Sequence, residues 1–156
     1  MSINTRENYM EIGTSVNSDN SLANSLQLPV PTTLTVAPQF LADAGRNAGG
    51  TMILQQIGRI QYTGKATWAK LTNKWHWKIN RWFETYGMAF YLKYFDQNTG
   101  MVKIQRFYKG AAADVSPSET TEDINGYKVP THYKNYMLSF IDMGEDDVII
   151  VESLEV

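Results

Sequence analysis

One stretch of the sequence, residues 72–87, has the periodicity of an amphipathic helix, whereas the apolar segments on both sides of it alternate. Its large apolar side chains recur at i, i+4, i+7, i+8 and i+11 and so form a single stripe: Trp75, Ile79, Trp82, Phe83 and Tyr86. Thr72 is a suitable N-cap, and Gly87 suits the left-handed residue that ends a helix. We therefore predict one helix at about residues 73–86, lying with its stripe on a sheet or another apolar surface.

Strict alternation is clearest just before this helix, at residues 59–71. There Ile60, Tyr62, Ala66 and Trp68 fall on one face, and polar residues fall on the other. A period of two is typical of a strand with one buried face. We expect this strand to pair with residues 51–57.

Further alternating segments predict a mainly β fold. They are residues 33–36, 89–95, 102–108, 133–143 and 148–151. Residues 96–100 join two of them through a short glycine-containing connection, which predicts a hairpin. Six or seven strands with one helix indicate a β-sandwich or split barrel that carries the helix on its flank.

The chain divides into an arm and a body. Its 156 residues fit one domain. Residues 1–27 are polar with scattered apolar positions, and we predict an N-terminal arm that is mobile or docked on another subunit. The single β-rich domain then covers residues 28–156. Within it, residues 110–130 are predicted to be a long surface loop or an inserted ribbon.

Charge and composition exclude several classes of protein. The net charge is −2, and the densest basic stretch, Lys70–Arg81, coincides with the predicted helix, so nucleic-acid specificity is disfavoured. Without cysteine there is no disulfide or thiol chemistry. The N-terminus lacks the order of a secretory signal, and no apolar run approaches the roughly 20 residues that span a bilayer. We expect a soluble protein made in a cytoplasm, without membrane insertion.

The sequence offers no set of residues for catalysis or metal binding. His76 lies one position off the helical stripe and His132 begins a strand, and neither is accompanied by a nucleophile elbow. These two histidines are too far apart in sequence to suggest a zinc site. We predict no catalytic residue, no metal and no cofactor.

Two other motifs have plainer interpretations. The acidic run Glu145–Asp147 lacks the spacing of a calcium loop, and adjacent carboxylates in a strand point to opposite faces, so a solvated turn is favoured. Gly45–Gly50 has neither phosphate-loop pattern and is expected to form a tight turn that presents Arg46 and Asn47.

The four tryptophans lie close together in the sequence. Flat aromatic faces are used both in sugar-binding sites and in protein interfaces. The helical register makes Trp75 and Trp82 core residues. Trp77 is displaced by about 200° from Trp75 around the helix axis, so it is the best candidate for a contact between subunits.

Four motifs in succession carry a family resemblance. They are Leu28-Pro-Val-Pro-Thr-Thr-Leu-Thr-Val, Ala44-Gly-Arg-Asn-Ala-Gly-Gly-Thr-Met, Trp68-Ala-Lys-Leu-Thr and Arg106-Phe-Tyr-Lys-Gly. This order resembles a family of small tail proteins encoded in the tail modules of long-tailed phages and prophages of Gram-positive bacteria. The resemblance covers about residues 28–143. Ala111 stands where the family usually has Asp, and the N-terminal arm is longer than usual.

The resemblance implies a non-enzymatic virion protein of a phage tail, at the tail tip or baseplate hub or in a tail-tube-like or distal-tail ring. It would act by assembling with itself, by analogy as a hexameric ring, and with adjacent tail proteins. A carbohydrate- or receptor-binding β-module that uses exposed aromatics is the alternative. The residues expected at subunit contacts are Gly45, Arg46, Asn47, Gly49, Gly50, Trp77, Asp96, Asn98 and Tyr127.

Overall fold

The structure is a computed structural model that describes residues 10–39, 42–46, 52–56, 61–110, 115–144 and 148–155. It is mainly β, with one helix. The helix is α1 (Asn73–Tyr86), and the strands in chain order are β1 (Met10–Gly13), β2 (Ser15–Val16), β3 (Leu22–Ala23), β4 (Leu26–Gln27), β5 (Thr33–Gln39), β6 (Ala42–Arg46), β7 (Met52–Gln56), β8 (Gln61–Thr72), β9 (Ala89–Asp96), β10 (Met101–Lys109), β11 (Ser116–Pro117), β12 (Thr121–Ile124), β13 (Tyr127–Pro130), β14 (His132–Asp142) and β15 (Ile149–Ser153).

One nine-stranded sheet runs in the order β4-β1-β9-β10-β14-β8-β5, with β11 on β14 and β15 on β10. Strand β10 is where the sheet divides. Its end at residues 107–109 pairs with β14, whereas its start at residues 101–104 pairs with β15. The sheet therefore splits into two groups of strands along β10, with β9 and β1 on one side and β14, β8 and β5 on the other.

The two groups fold over one another. Asn98, just after β9, places its Nδ2 3.5 Å from the carbonyl oxygen of Val36 in β5. In a flat sheet, β9 and β5 would be four strand spacings apart, about 19 Å. The Trp68 indole likewise donates to the Pro29 carbonyl at 3.0 Å, while Leu28 N donates to Met10 O at 3.2 Å. This layering, without closure into a barrel, confirms the predicted β-sandwich with a flanking helix.

The core between the layers is rich in aromatic rings. Phe107 packs edge-to-face on Phe140 with ring centroids 4.9 Å apart, and Phe90 packs against Phe140 at 6.1 Å. Gly64 in β8 makes room for this stack, because a Cβ atom there would lie within 2.0 Å of the Phe140 ring. Burying each such ring contributes about 1.5–3 kcal/mol. Gly64 is thus a close-approach position of the core.

Helix α1 has the bounds that the sequence predicts. Gly87 has the expected positive φ, 93°, and its N–H donates to the Phe83 carbonyl at 2.8 Å, but its ψ of −178° is not that of a left-handed helical residue. Ile79, Trp82 and Phe83 are buried in the core. Trp75 and Tyr86, at the two ends of the stripe, lie at the margin of the core. Trp75 is half-buried against the core, and Tyr86 is 44% exposed. Trp75 is therefore less buried than we predicted.

The N-terminal segment differs from the predicted arm. Strand β1 pairs along its length with β9 of the same chain, and β4 pairs with β1. Met10 and Ile12 are 1% and 0% exposed. The few apolar residues of this segment are therefore placed in register against the subunit's own core. From residue 10 onward the segment is docked on its own chain, and residues 1–9 lie outside the described residues.

The expected pairing of residues 51–57 with residues 59–71 is wrong. Strand β7 pairs with β6, whereas β8 pairs with β5 on one edge and with β14 on the other. A strand has only two edges, so β8 has no edge left for β7 along its paired length. The segment that we expected to be a glycine-rich turn instead contains strand β6.

Residues 116–130 form the inserted ribbon rather than a plain loop. Strand β11 adds to β14, and β12 pairs with β13 as a separate two-stranded sheet. Asn125 and Gly126 join β12 to β13 with φ values of 52° and 85°. Two positive φ values at the centre of a two-residue connection are the mark of a type I′ hairpin turn. The hairpin β9–β10 and the strands at β5, β14 and β15 are close to the predicted ranges.

Candidate functional site

Two strands of the main sheet, β5 and β15, lie at edges of the sheet and are five residues long or more. Among the described strands, β5 pairs only with β8 and β15 only with β10, so each has one edge without a partner. Strand β15 is the more apolar of the two at its surface, because Ile150 is 55% exposed and the following Leu154 is 43% exposed. An unpaired edge presents N–H and C=O groups that another chain can pair with.

A second exposed apolar feature lies on the outer face of the sheet. Tyr108 of β10 and Ile141 of β14 are direct cross-strand neighbours, and they are 40% and 36% exposed. Met88 adjoins them, since its carbonyl accepts from Lys109 N at 2.9 Å, and its side chain is 56% exposed. Clustered exposed apolar side chains are typical of surfaces that other molecules cover.

Helix α1 presents a basic surface with an aromatic side chain. Lys74, Lys78 and Arg81 are exposed and follow one another at helical spacing. Trp77 is half-buried beside them, and its Nε1 lies 3.4 Å from the Tyr133 hydroxyl. Trp77 and Arg81 together line two neighbouring grooves of about 360 and 290 Å³. We call Lys74, Trp77, Lys78 and Arg81 the helix surface.

The ribbon β12–β13 carries exposed charges of both signs. Asp123 and its cross-strand partner Lys128 are exposed, and Tyr127 is the most exposed of the large hydrophobic side chains described, at 74%. Asn73 fixes the base of the ribbon, because its Nδ2 donates to Glu122 Oε1 at 2.5 Å and to the Pro130 carbonyl at 2.8 Å.

The predicted contact residues have different surroundings. Asn98 and Tyr127 are exposed and Trp77 is half-buried, which leaves all three available for contacts. Gly45 and Arg46 lie in β6 rather than in a turn. The remaining glycine-rich positions lie outside the described residues: Asn47, Gly49 and Gly50.

Asp96 does not fit the expectation of a surface contact. Its carboxylate is 4% exposed and pairs with the Lys103 ammonium at 2.8 Å, while Oδ1 accepts from Asn98 N at 2.9 Å. Burial alone would raise the pKa of Asp96, but the hydrogen bonds from Lys103 and from the Asn98 backbone hold it below its ordinary value. The residue therefore fixes the β9–β10 hairpin from inside.

A buried polar network continues from this pair. The Tyr94 hydroxyl donates to Gln105 Oε1, and Gln105 Nε2 lies 3.4 Å from Asp142 Oδ2. Asp142 also accepts from the backbone N–H groups of Tyr62 and Gly144. Burial raises the pKa of Tyr94 above its ordinary value. These groups satisfy one another at one end of the core, as buried polar groups must.

The histidines are not arranged for catalysis. The ring of His76 stacks on Tyr133 with centroids 4.0 Å apart and meets Tyr136 edge-on at 5.2 Å. His132 Nδ1 lies 3.0 Å from the Thr131 hydroxyl. Within the described ranges, no group of three or more His, Cys, Asp or Glu side chains could hold a metal ion. The acidic run at residues 145–147 lies outside those ranges.

Aromatic platforms for sugar binding require at least two exposed, coplanar rings. Trp68 and Trp82 are buried, and the half-buried Trp75 is covered by the Lys78 ammonium, 4.8 Å from its ring centroid. The carbohydrate-binding alternative therefore stays a prediction that none of these three positions favours. No helix among the described residues has both the length and the apolar character to cross a membrane.

No protein-family model matches the sequence, and no curated protein matches it. A solved structure described as "Tail of empty GTA particle computed with helical refinement, C6 symmetry" is similar, with a TM-score of 0.48 and 7% sequence identity. The similarity covers 97% of this chain and 100% of that chain. At this TM-score the likeness is too distant to carry an argument about function.

Sequence reasoning missed the exposed edge of β15 and the patch at Met88, Tyr108 and Ile141. Which strand is an edge depends on the pairing of the whole sheet, which alternation does not encode.

Proposed function

We propose that this chain is a structural protein of a phage tail that acts by assembling with copies of itself and with adjacent tail proteins. The observation that carries the proposal is the open main sheet, with strand edges at β5 and β15 that have no partner among the described strands. Soluble proteins usually protect such edges with charges, prolines or covering segments. Pairing with a neighbouring copy protects them as well.

The surface chemistry of β15 supports this assignment. Ile150 and Leu154 are exposed beside the free edge, and Glu152 is the exposed charge in this strand. An edge strand from a neighbour would add main-chain hydrogen bonds and cover both side chains. The free edges of β5 and β15 lie at different places in the sheet. Contacts between two different edges are head-to-tail, and such contacts generate a ring when the rotation closes.

The four sequence motifs support the finer assignment. They favour a tail-tip or baseplate-hub position or a tail-tube-like or distal-tail ring, and by analogy a hexamer located in the virion tail. The contact residues that we propose are Asn98, Trp77 and Tyr127 together with the glycine-rich segment that holds Gly45, Arg46, Asn47, Gly49 and Gly50. No catalytic step is part of this function.

A charge on the free edge of β15 tests the proposal. Ile150→Lys adds an ammonium at a position that is 55% exposed, so the subunit should fold normally. We expect the wild-type chain to sediment as a closed oligomer. The variant should sediment as a monomer, or its self-association should be at least about tenfold weaker, because a charge on an edge strand blocks pairing. Analytical ultracentrifugation measures both, and circular dichroism checks the fold.

Lys65→Glu is the matched control, because it changes an exposed charge in the middle of the sheet and not at an edge. It should assemble like the wild type. A wild-type chain that stays monomeric at every concentration, and is absent from purified tail particles, would contradict the proposed function.

A further inference from the structure

The hydrogen bonds of the neighbouring strands show which main-chain groups of β5 face its free edge. Successive residues of a strand in an antiparallel sheet point their N–H and C=O groups to opposite edges. The Ser139 carbonyl accepts from Gly110 N beside β10, so the next residue of β14, Phe140, points to β8. Its partner Gly64 therefore points to β14. Val36 lies opposite Gly64 on the other side of β8, so its N–H and C=O point away from β8, to the free edge.

The free edge of β5 offers a short window for strand pairing. Leu34 is two residues from Val36, so its N–H and C=O point to the same edge. Pro38 points there as well, but proline has no N–H to donate. An incoming strand can therefore find both a donor and an acceptor at Leu34 and at Val36, but only an acceptor at Pro38.

A cavity of about 200 Å³ lies at this window. Residues 34–36 of β5 line one side of it, and residues 95–98 at the end of β9 line the other. We call this cavity the edge slot. The exposed Asn98 reaches across it, with Nδ2 3.5 Å from the Val36 carbonyl oxygen. Well-formed N–H···O bonds are about 2.7–3.2 Å long, so the amide covers this carbonyl only loosely.

The main chain at the second wall of the edge slot is fixed from inside. Asp96 Oδ1 accepts from Asn98 N at 2.9 Å, and the Asp96 carbonyl accepts from Gly100 N at 2.9 Å. Asp96 is in turn held by the buried Lys103 ammonium at 2.8 Å. The Asn98 side chain is exposed, and exposed side chains change rotamer within nanoseconds. Rotation of this one side chain is enough to uncover the Val36 carbonyl.

We propose that Asn98 gates the free edge of β5. In the free subunit its amide covers the Val36 carbonyl, and on assembly it turns aside so that an edge strand of the next copy enters the edge slot and pairs with Leu34 and Val36. This inference rests on the proposed function and states how two copies meet at β5. An extended strand fits because the groups that face the slot are main-chain donors and acceptors with the spacing of strand pairing. Strand β15 of the next copy is the one that the proposed function brings to this edge.

Hydrogen exchange of single backbone amides tests the pairing directly. In the monomeric variant Ile150→Lys, the N–H groups of Leu34 and Val36 should exchange faster than that of Thr35, which points to β8. In wild-type oligomers, exchange at Leu34 and Val36 should be at least about tenfold slower, because both amides are then bonded to the next copy. Thr35 is the internal control and should exchange equally slowly in both samples. Residue-resolved mass spectrometry measures all three.

Changing the size of residue 98 provides an independent measurement by analytical ultracentrifugation. Asn98→Trp should fill the edge slot and weaken self-association by at least about tenfold. Asn98→Ala removes the gate and should associate at least as tightly as the wild type. Lys128→Trp is the matched control, because it places the same ring at an exposed position of a separate two-stranded sheet. Wild-type association of Asn98→Trp, or weaker association of Asn98→Ala, would overturn the inference.

The outcomes separate this inference from the proposed function. If oligomers form without slower exchange at Leu34 and Val36, the gated edge is wrong and the proposed function stands. If the wild type never assembles, both fail. If exchange slows only in tail particles and not in oligomers of this chain alone, another tail protein occupies the edge slot and the inference is overturned.

Discussion

His76 is a boundary residue on α1, as the helical register predicts, but its contacts come from a distant part of the chain. Its ring lies between Tyr133 and Tyr136 of β14, and Nε2 is 3.3 Å from the Asn80 side chain. Among the described residues, its buried Nδ1 has no hydrogen-bond partner. Burial, and then the charge of Lys109, lower the pKa of His76 from its ordinary 6.5. The imidazole is therefore neutral in the fold at neutral pH.

This shift predicts a loss of stability on mild acidification. The unfolded chain binds a proton at His76 as the pH falls through 6.5, whereas the folded chain binds it only at lower pH. The free energy of unfolding should be fully retained above that pH and decrease below it, down to the folded pKa. His76→Phe keeps the ring stacking and should remove this decrease, as urea unfolding between pH 5 and 7 would measure.

His132→Asn is the matched control for this measurement. The pKa of His132 is also lowered, first by desolvation and then by Lys70 and Lys134, but the residue lies at the surface. The control should keep most of the wild-type decrease. If the free energy of unfolding decreased equally with falling pH in the wild type and in His76→Phe, His76 would not be the group that titrates.

At the scale of elements, length decides what the sequence can reveal. Helix α1 and strands β9 and β10 are long enough for their period to stand out, and their bounds are nearly those predicted. Strand β1 has four residues in a polar segment, so its two core side chains looked like isolated apolar positions. Its burial follows from pairing with β9, which only the folded topology specifies. The same holds for β6 and β7, whose pairing we predicted wrongly.

Strand β1 should therefore contribute strongly to stability. Ile12→Ala removes a fully buried side chain from the core and should lower the free energy of unfolding by about 2–5 kcal/mol. Ser15→Ala, at an exposed position of the adjacent β2, should change it by less than about 0.5 kcal/mol. Chemical denaturation of both variants checks this. Equal, small effects would restore the interpretation of residues 10–27 as an arm that the body does not need.

At the scale of the whole molecule, the two-layer sandwich has a well-packed core, but its surface keeps strand edges without a described partner and exposed apolar side chains. The aromatic stack, the covering helix and the buried network around Asp142 satisfy the interior. The subunit presents outward the sheet edges at β5 and β15, the apolar patch around Tyr108 and the basic helix surface. The mainly β class with one helix could be predicted because composition and period determine it. The free surfaces could not be, because they depend on which strands pair.

Electron microscopy of purified tail particles, with this subunit located in the map, tests the central claim most directly. We expect copies arranged as a closed ring within the tail, joined along the edges of β5 and β15. Particles that contain no density for the subunit, or that hold it as an isolated protomer without contacts to other copies, would contradict the account.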